Sequence, residues 1–356
     1  MSNYALSTTS GNPITALDGS AVNYSDNLTA DYIARLKAAH NLLMDKCKYR
    51  YDIIPIILTT DQHNRIEESQ LTGVYRLLAD IVDWQGISKV VNLGDTTVGG
   101  EAVELEKARS MFDILPIEKQ VNVWGNHDYG NDSSSDQAWV KKYFKNGCAR
   151  YGGGNGYFVA YDDMYNVKYL CLNNWEHVGV SANTHYWGSV SSEQYAWAIA
   201  EMTKNDGYDI ILCAHDSWDA VGVTWLDDDE TGNNGRWVEN YDVSTESTWE
   251  HDTAAQAGWL KLLADRKHKR SGTFTDSLGV AHAYDFTGCK HDVLISLHGH
   301  WHTDFYKQHD ITMVEFDCYK AYNDTYFCYI DRANKKFGWW KVRPGRNTQS
   351  LEIDIN

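Results

Sequence analysis

The chain has 356 residues, 43% of them hydrophobic, enough for one large α/β domain with insertions or for two domains of ordinary size. Its 32 Lys and Arg stand against 49 Asp and Glu, a formal charge of -17, which argues against general affinity for nucleic acid or an anionic membrane, since both need a cationic surface. No run of 18 apolar residues occurs, and the opening "MSNYALSTTSGNPITALDG" lacks a cationic start followed by an apolar block, so a cytoplasmic chain with no membrane partner is expected; a viral or released particle component would share these features.

Residues 1–28, rich in Ser, Thr, Asn and Gly, read as a polar arm before a first helical pattern at Thr29 to Lys48. Residues 29–356 read as one domain, without an internal repeat or a Gly/Ser linker. "IIPIILTT" (Ile53 to Thr60), "KVVNLGD" (Lys89 to Asp95) and "QVNVWGN" (Gln120 to Asn126) are short apolar runs halted by a polar group or Gly, the pattern of strands buried on both faces. Between them, "EESQLTGVYRLLADIVDW" and "EAVELEKARSMFDIL" repeat apolar residues at three- and four-residue steps, so the order is β-α-β-α-β. "GYFVAYDDMYNVKYLCLNN" (Gly156 to Asn174) predicts a hairpin turning near Asp162 to Asn166, and "DIILCAH" (Asp209 to His215) another buried strand.

Residues 217 to about 290 hold Asp-Asp-Asp, Gly-Asn-Asn-Gly and Ser/Thr-rich stretches around one helix, Thr253 to His268, and read as an insertion near the site. The acidic run Asp227 to Glu230 has no EF-hand spacing and reads as a solvated loop. "DVLISLHGH" (Asp292 to His300), "MVEFDCY" and "TYFCYIDRANKKFGWWKVR" supply late strands, so the fold class is α/β with a mixed or two-sheet core. The seven cysteines are scattered, without a CxxC pair, and read as small hydrophobes.

Each buried strand ends in a side chain able to hold a metal, and ligands collect at the ends of parallel strands in open α/β sheets. In order these are Asp61 and His63 from "TTDQH", Asp95 from "LGD", Asn126 and His127 from "GNHD", His215 from "CAHDS", and His300 and His302 from "HGHWH". Oxygen and imidazole donors without thiolate suit Mn, Fe, Co, Ni or Zn, and they outnumber the four ligands that one tetrahedral ion accepts, so two ions are the economical explanation. The i, i+2 spacing of Asp61/His63 and of His300/His302 aims each pair one way, and a Gly beside Asp95, Asn126 and His300 permits close backbone approach. Neutral Asn126 suits a carbonyl ligand better than a salt bridge. Trp301, between two proposed ligands, is expected to pack beside the metals, whereas His298, Asp304, His177 and His185 stay outside the ligand set.

Taken together, Asp61-x-His63, Gly94-Asp95, Gly125-Asn126-His127-Asp128, His215 and Gly299-His300-x-His302 resemble the calcineurin-like metallophosphoesterase superfamily, over roughly residues 53 to 317. The resemblance implies a four-layer α/β/β/α sandwich with two mixed sheets. It implies that Asp61, His63 and His302 hold one divalent or trivalent ion, that Asn126, His215 and His300 hold the other, that Asp95 bridges them, and that His127 is free for catalysis. The function it implies is hydrolysis of a phosphate-ester substrate by a metal-bridging hydroxide, with His127 protonating the leaving oxygen or steadying the phosphoryl group. "GNHD" tilts the reading towards diesters over monoesters. Two departures stand out: many relatives carry Asp three residues after the bridging Asp to orient the catalytic His, and the tyrosinate-bearing purple acid phosphatases carry Tyr there, whereas this chain has Val98. Support for His127 is left to Asp128 or Asp216. The other reading is a non-catalytic, metal-containing scaffold or carbohydrate-binding particle protein that keeps the fold, favoured by Val98 and by the 14 Trp and 23 Tyr.

Overall fold

The computed structural model describes residues 30–63, 70–128, 149–151, 156–175, 185–187, 190–218, 223–224, 238–239, 249–251, 253–300, 304–317, 324–344 and 346–355. The polar arm, His177, Asp227 to Glu230, Trp301 and His302 lie outside the described residues.

Helix α1 (Ala30–Cys47) buries Tyr32, Ile33, Leu36, Ala39, His40 and Leu43, the recurrence its sequence carries. Strand β1 (Ile53–Thr59) is buried at every position, as its unbroken apolar run requires. Its side chains alternate: Ile53 and Ile57 join the cluster of α1, while Ile54, Ile56 and Leu58 join the cluster on the opposite face. Pro55 fits this central strand because the neighbouring strand starts pairing only at Ile56, and the Pro55 carbonyl still accepts from Ser88 N–H at 2.8 Å.

Helix α2 (Gln70–Ile81), β2 (Lys89–Asn92), α3 (Ala102–Phe112) and β3 (Gln120–Asn122) complete a parallel β-α-β-α-β unit. A capping box of Glu101 and Glu104 starts α3, and Glu104 Oε2 also accepts from Gly99 N–H at 2.8 Å, tying the helix to the loop after β2. Strands β4 (Ala149–Tyr151), β5 (Phe158–Asp162) and β6 (Val167–Cys171) run antiparallel in sequence, β5 and β6 turning through residues 163–166 with Asn166 left-handed.

Further on come β7 (His185–Trp187), α4 (Ser192–Thr203), β8 (Asp209–Cys213), the short pair β9 (Val223–Thr224) and β10 (Val238–Glu239), and β11 (Trp249–His251), which pairs with β7. Helix α5 (Thr253–Lys267) leads into the hairpin of β12 (Ser271–Thr275) and β13 (Ala281–Asp285). Then follow β14 (Val293–His298), β15 (Phe305–Gln308), β16 (Thr312–Glu315), β17 (Thr325–Asp331), β18 (Lys336–Val342) and β19 (Gln349–Asp354).

The result is a mixed α/β architecture with two mixed sheets. One has six strands in the order β19-β18-β17-β1-β2-β3, and the other seven in the order β15-β16-β14-β8-β6-β5-β4. In the first, the parallel strands β1, β2 and β3 form one side and the antiparallel strands β17, β18 and β19 the other; in the second, the parallel strands β16, β14, β8 and β6 occupy the middle, with antiparallel strands outside them. One apolar cluster draws Ile56, Val91, Val121, Cys328 and Trp339 from the six-stranded sheet and Tyr169, Ile211, Ile295 and Val314 from the seven-stranded one. A second joins α1, α2 and α3 to β1 and β2. The third sets Tyr195 and Ile199 of α4, Trp259 and Leu263 of α5, and Phe274 and Tyr284 of the hairpin against Ile210, Leu212 and Val293. Trp259, Leu263, Phe274 and Tyr284 of the expected insertion therefore pack into the core. Five cysteines are described, all as free thiols, four of them buried. Among the described residues no helix is long and apolar enough to cross a membrane.

Candidate metal centre

The parallel strands β1, β2, β3, β8 and β14 deliver Asp61, Asp95, Asn126, His215 and His300 just past their C-terminal ends. Backbone pairing continues beyond the strands and sets the spacing of these loops. Asp61 N–H donates to Gly94 O and His63 N–H to Asp95 O, both at 2.9 Å, while Gly299 N–H donates to His215 O at 2.8 Å.

Asp61, His63, Asp95 and His300 all have left-handed backbones, with φ of 48°, 41°, 51° and 82°. Asp and His tolerate that region better than most residues, yet each still costs about 1–3 kcal/mol, a strain that concentrates at functional sites. Two glycines make the close approach possible. A Cβ on Gly125 would stand 2.1 Å from Asp95 Oδ1, and one on Gly299 would stand 2.0 Å from Thr60 Oγ1 and 2.5 Å from Asp61 Oδ2.

Donor atoms converge in two groups that share Asp95. His63, Asp95 and His127 offer atoms within 4.8 Å of one another, and so do Asp95, His215 and His300. His215 Nε2 lies 3.2 Å from Asp95 Oδ1, 4.0 Å from Asp61 Oδ1 and 3.2 Å from His300 Nδ1, while His63 Nε2 lies 3.7 Å from Asp95 Oδ2. Asn126 turns one amide atom to the same point, 3.1 Å from both His215 Nε2 and His300 Nδ1 and 3.2 Å from Asp95 Oδ2. An amide nitrogen there donates to these lone pairs, whereas a cation at their centre calls for the amide oxygen. His215 Nδ1–H donates to Leu93 O at 2.8 Å, the backbone anchor that commonly leaves Nε2 of a metal-binding His free to coordinate.

Asp61, Asp95 and His215 are fully enclosed. Burial raises the Asp95 carboxyl, but the imidazoles of His215, His63 and His127 outweigh it and hold the group well below the usual carboxylate range. Burial likewise lowers His215, but Asp95 and Asp61 raise it to about 10. Charges so deep in a fold need partners or a metal, and a cation on the Nε2 side displaces the proton that His215 otherwise holds.

His127 Nδ1–H donates to Val98 O at 2.5 Å, so a main-chain carbonyl fixes this ring, rather than a carboxylate of Asp128 or Asp216. The residue standing where an orienting Asp was missed thus supplies its backbone instead. His127 N–H donates to Asp95 Oδ1 at 2.8 Å, and its ring meets that of His63 edge-on at 4.6 Å. Asp128 clasps the loops: its carboxylate accepts from Thr97 N–H at 3.0 Å, Thr97 O–H at 3.1 Å and Gly125 N–H at 3.0 Å. Burial, reinforced by Asp95, pushes its carboxyl up to about 7.

Other contributors had no signal in the strand-end pattern. Trp175 packs against His300 with centroids 5.6 Å apart, a contact that sequence distance hides. Asn92 accepts from Gly94 N–H at 2.8 Å and donates to Gln62 Oε1 at 3.3 Å, while Gln62 donates to Tyr75 O–H at 3.1 Å, a chain behind Asp61 and Asp95. His298 is buried between Ser296 Oγ at 2.7 Å and Asp216 O at 2.9 Å, and burial pushes it down to about 3, which keeps it neutral. A comparison with protein-family models and one with curated proteins find no match to this chain.

Proposed function

We propose that the chain is a dinuclear metal-dependent phosphoesterase of the calcineurin-like kind, acting on phosphate esters with diesters preferred over monoesters. The observation that carries the reading is the pair of donor groups sharing Asp95, assembled from the ends of separate parallel strands. Three apolar clusters, one between the sheets and one on each outer side, support a four-layer α/β/β/α arrangement.

The donor set fits two cations of the Mn, Fe, Zn, Co or Ni class: carboxylate, amide and imidazole, with one shared carboxylate and no thiolate. Asp61 and His63, with His302, would hold one; Asn126, His215 and His300 would hold the other; Asp95 would touch both. Bound there, two cations supply a nucleophile at neutral pH and neutralise phosphoryl charge.

The protein's own part is orientation and proton transfer. Val98 O fixes Nδ1 of His127, which leaves Nε2 to carry a proton to the departing ester oxygen. Asp128 and Thr97 hold the two loops that bear Asp95 and His127 at constant separation. Trp175 backs His300 with an apolar wall that excludes water from that side.

The test is hydrolysis of bis-p-nitrophenyl phosphate and p-nitrophenyl phosphate by chelated protein before and after Mn²⁺ is restored, with Asp95→Asn alongside. Metal-restored turnover that Asp95→Asn abolishes is expected. Folded protein inert towards both esters in Mn²⁺ would overturn the proposal.

A further inference from the structure

Past Cys171 and Cys213 the main chains of β6 and β8 part. Leu172 N–H still donates to Cys213 O at 2.8 Å, and beyond it a side chain spans the gap. Asn174 Nδ2–H donates to Asp216 O at 2.7 Å while its Oδ1 faces Asp216 N–H at 3.4 Å, so one amide addresses both main-chain groups of the residue after His215. From the other side His298, which ends β14, donates from Nδ1 to the same carbonyl at 2.9 Å. Facing a carbonyl, Nδ1 carries the hydrogen, so Nε2 accepts from Ser296 O–H at 2.7 Å and both ring nitrogens are satisfied. Asn174, Asp216 and His298 are all fully enclosed.

This brace reaches both histidines of one half of the centre. Gln194 of α4 accepts from Asn173 N–H and donates to Asn173 O, each at 2.8 Å, which pins the segment after β6 to a helix. Trp175 at the end of that segment packs on the ring of His300. Gly299, between His298 and His300, donates its N–H to His215 O at 2.8 Å. The main chain on either side of His215 is therefore held from β6 and from β14, and His215 Nε2 meets His300 Nδ1 at 3.2 Å.

Apolar side chains could fill these enclosed positions with no polar group left to satisfy. A buried polar network in which every group is paired adds direction, because it fixes one course of the chain where packing alone permits several. We propose that Asn174 and His298 are positioning residues for the cation assigned to Asn126, His215 and His300, a role that rests on the dinuclear reading above. Leu93 O anchors the His215 ring at Nδ1, and the two donors on Asp216 O fix the main chain from which that ring hangs, so together they set where Nε2 points.

Mn²⁺ titration of the full chain by calorimetry, with electron paramagnetic resonance on the same samples, tests it in the wild type, Asn174→Leu, His298→Leu, His298→Asn and, as a control for stability alone, Leu263→Ala in the outer cluster. The wild type is expected to take two Mn²⁺ and to give an exchange-coupled spectrum. Asn174→Leu and His298→Leu are expected to keep one Mn²⁺ at wild-type affinity and to weaken the other by about 10- to 100-fold, leaving the spectrum of an isolated ion. His298→Asn, whose amide nitrogen takes the place of Nδ1, is expected to keep the pair. Leu263→Ala is expected to lower Tm with both ions bound as in the wild type. The two Leu variants break different bonds to one carbonyl, so the test stands where either fails to fold. Two Mn²⁺ at wild-type affinity in a folded Leu variant, or weakening of both ions in step with Tm, would overturn the positioning role and leave a plain strand-end clamp. His298→Asn losing the ion as fully as His298→Leu would overturn the part given to the Nδ1 bond. A wild type that takes fewer than two Mn²⁺ sinks the dinuclear reading itself, and this inference with it, before any variant is compared.

Discussion

His127 shows how one side chain's role depends on an atom with no letter of its own. Its ring is held by Val98 O, and its nitrogen also lies in a donor group with His63 and Asp95, so proton transfer and metal ligation make different forecasts. In His127→Ala, kcat on bis-p-nitrophenyl phosphate is expected to fall roughly 10²- to 10⁴-fold while Mn²⁺ stoichiometry by calorimetry stays as in the wild type. Loss of an ion in that variant would instead make His127 a ligand. Gly125 makes a second residue-scale case. Its missing Cβ is the space that Asp95 fills, so Gly125→Ala is expected to cost about 1–3 kcal/mol in denaturant unfolding and to weaken Mn²⁺ binding together with it. The residues of the candidate centre could be read from strand ends, because a His or Asp that stops an apolar run is conspicuous. Val98 O and Trp175 could not, since one is main chain and the other reaches His300 across 125 residues of sequence.

Among the elements, strands buried on both faces announced themselves: β1, β2, β8 and β14 lie within the apolar runs predicted for them, and β5 and β6 turn at residues 163–166 as expected. Helix α4 escaped notice although Ser191 Oγ accepts from Gln194 N–H at 3.1 Å, an N-cap legible in "SSEQ". The hairpin of β12 and β13 was hidden because alternate residues face solvent as Ser, Thr, Ala and Asp, a composition shared with loops. Asp276 holds that hairpin to α4, accepting from Leu278 and Val280 N–H at 3.0 and 2.8 Å, from His282 Nε2 at 2.8 Å and from Ser192 O–H at 2.5 Å. Burial alone would raise its carboxyl, but the bonds from His282, Ser192 and Val280 bring it below the ordinary value. A carboxylate depressed in the folded state stabilises fully above the unfolded pKa of about 3.9 and loses that contribution as pH falls through the folded value. Urea unfolding of Asp276→Asn is therefore expected to show a deficit at pH 7 that narrows below about pH 4. An equal deficit at both would exclude this linkage.

For the whole molecule, a formal charge of -17 and a buried carboxylate-rich centre act together on stability. Cations that bind only the folded chain stabilise it by mass action, about 2.7 kcal/mol for each site at a hundredfold excess over Kd. Mn²⁺ is expected to raise Tm and a chelator to reverse it, whereas NaCl at matched ionic strength gives only the smaller gain from screened self-repulsion. Asp95→Asn is expected to lose the Mn²⁺ increment and to keep the NaCl one, which differential scanning fluorimetry separates.

Strand β1 lies between β2, made shortly after it, and β17, made roughly 270 residues later. At ribosomal rates of about 5–20 residues per second, the flank of β1 that β17 will cover stays bare for roughly 15 to 50 s. An apolar edge exposed that long in a nascent polypeptide is a target for holdase chaperones. It also means that the loop bearing Asp61 settles only after translation has passed Asp331.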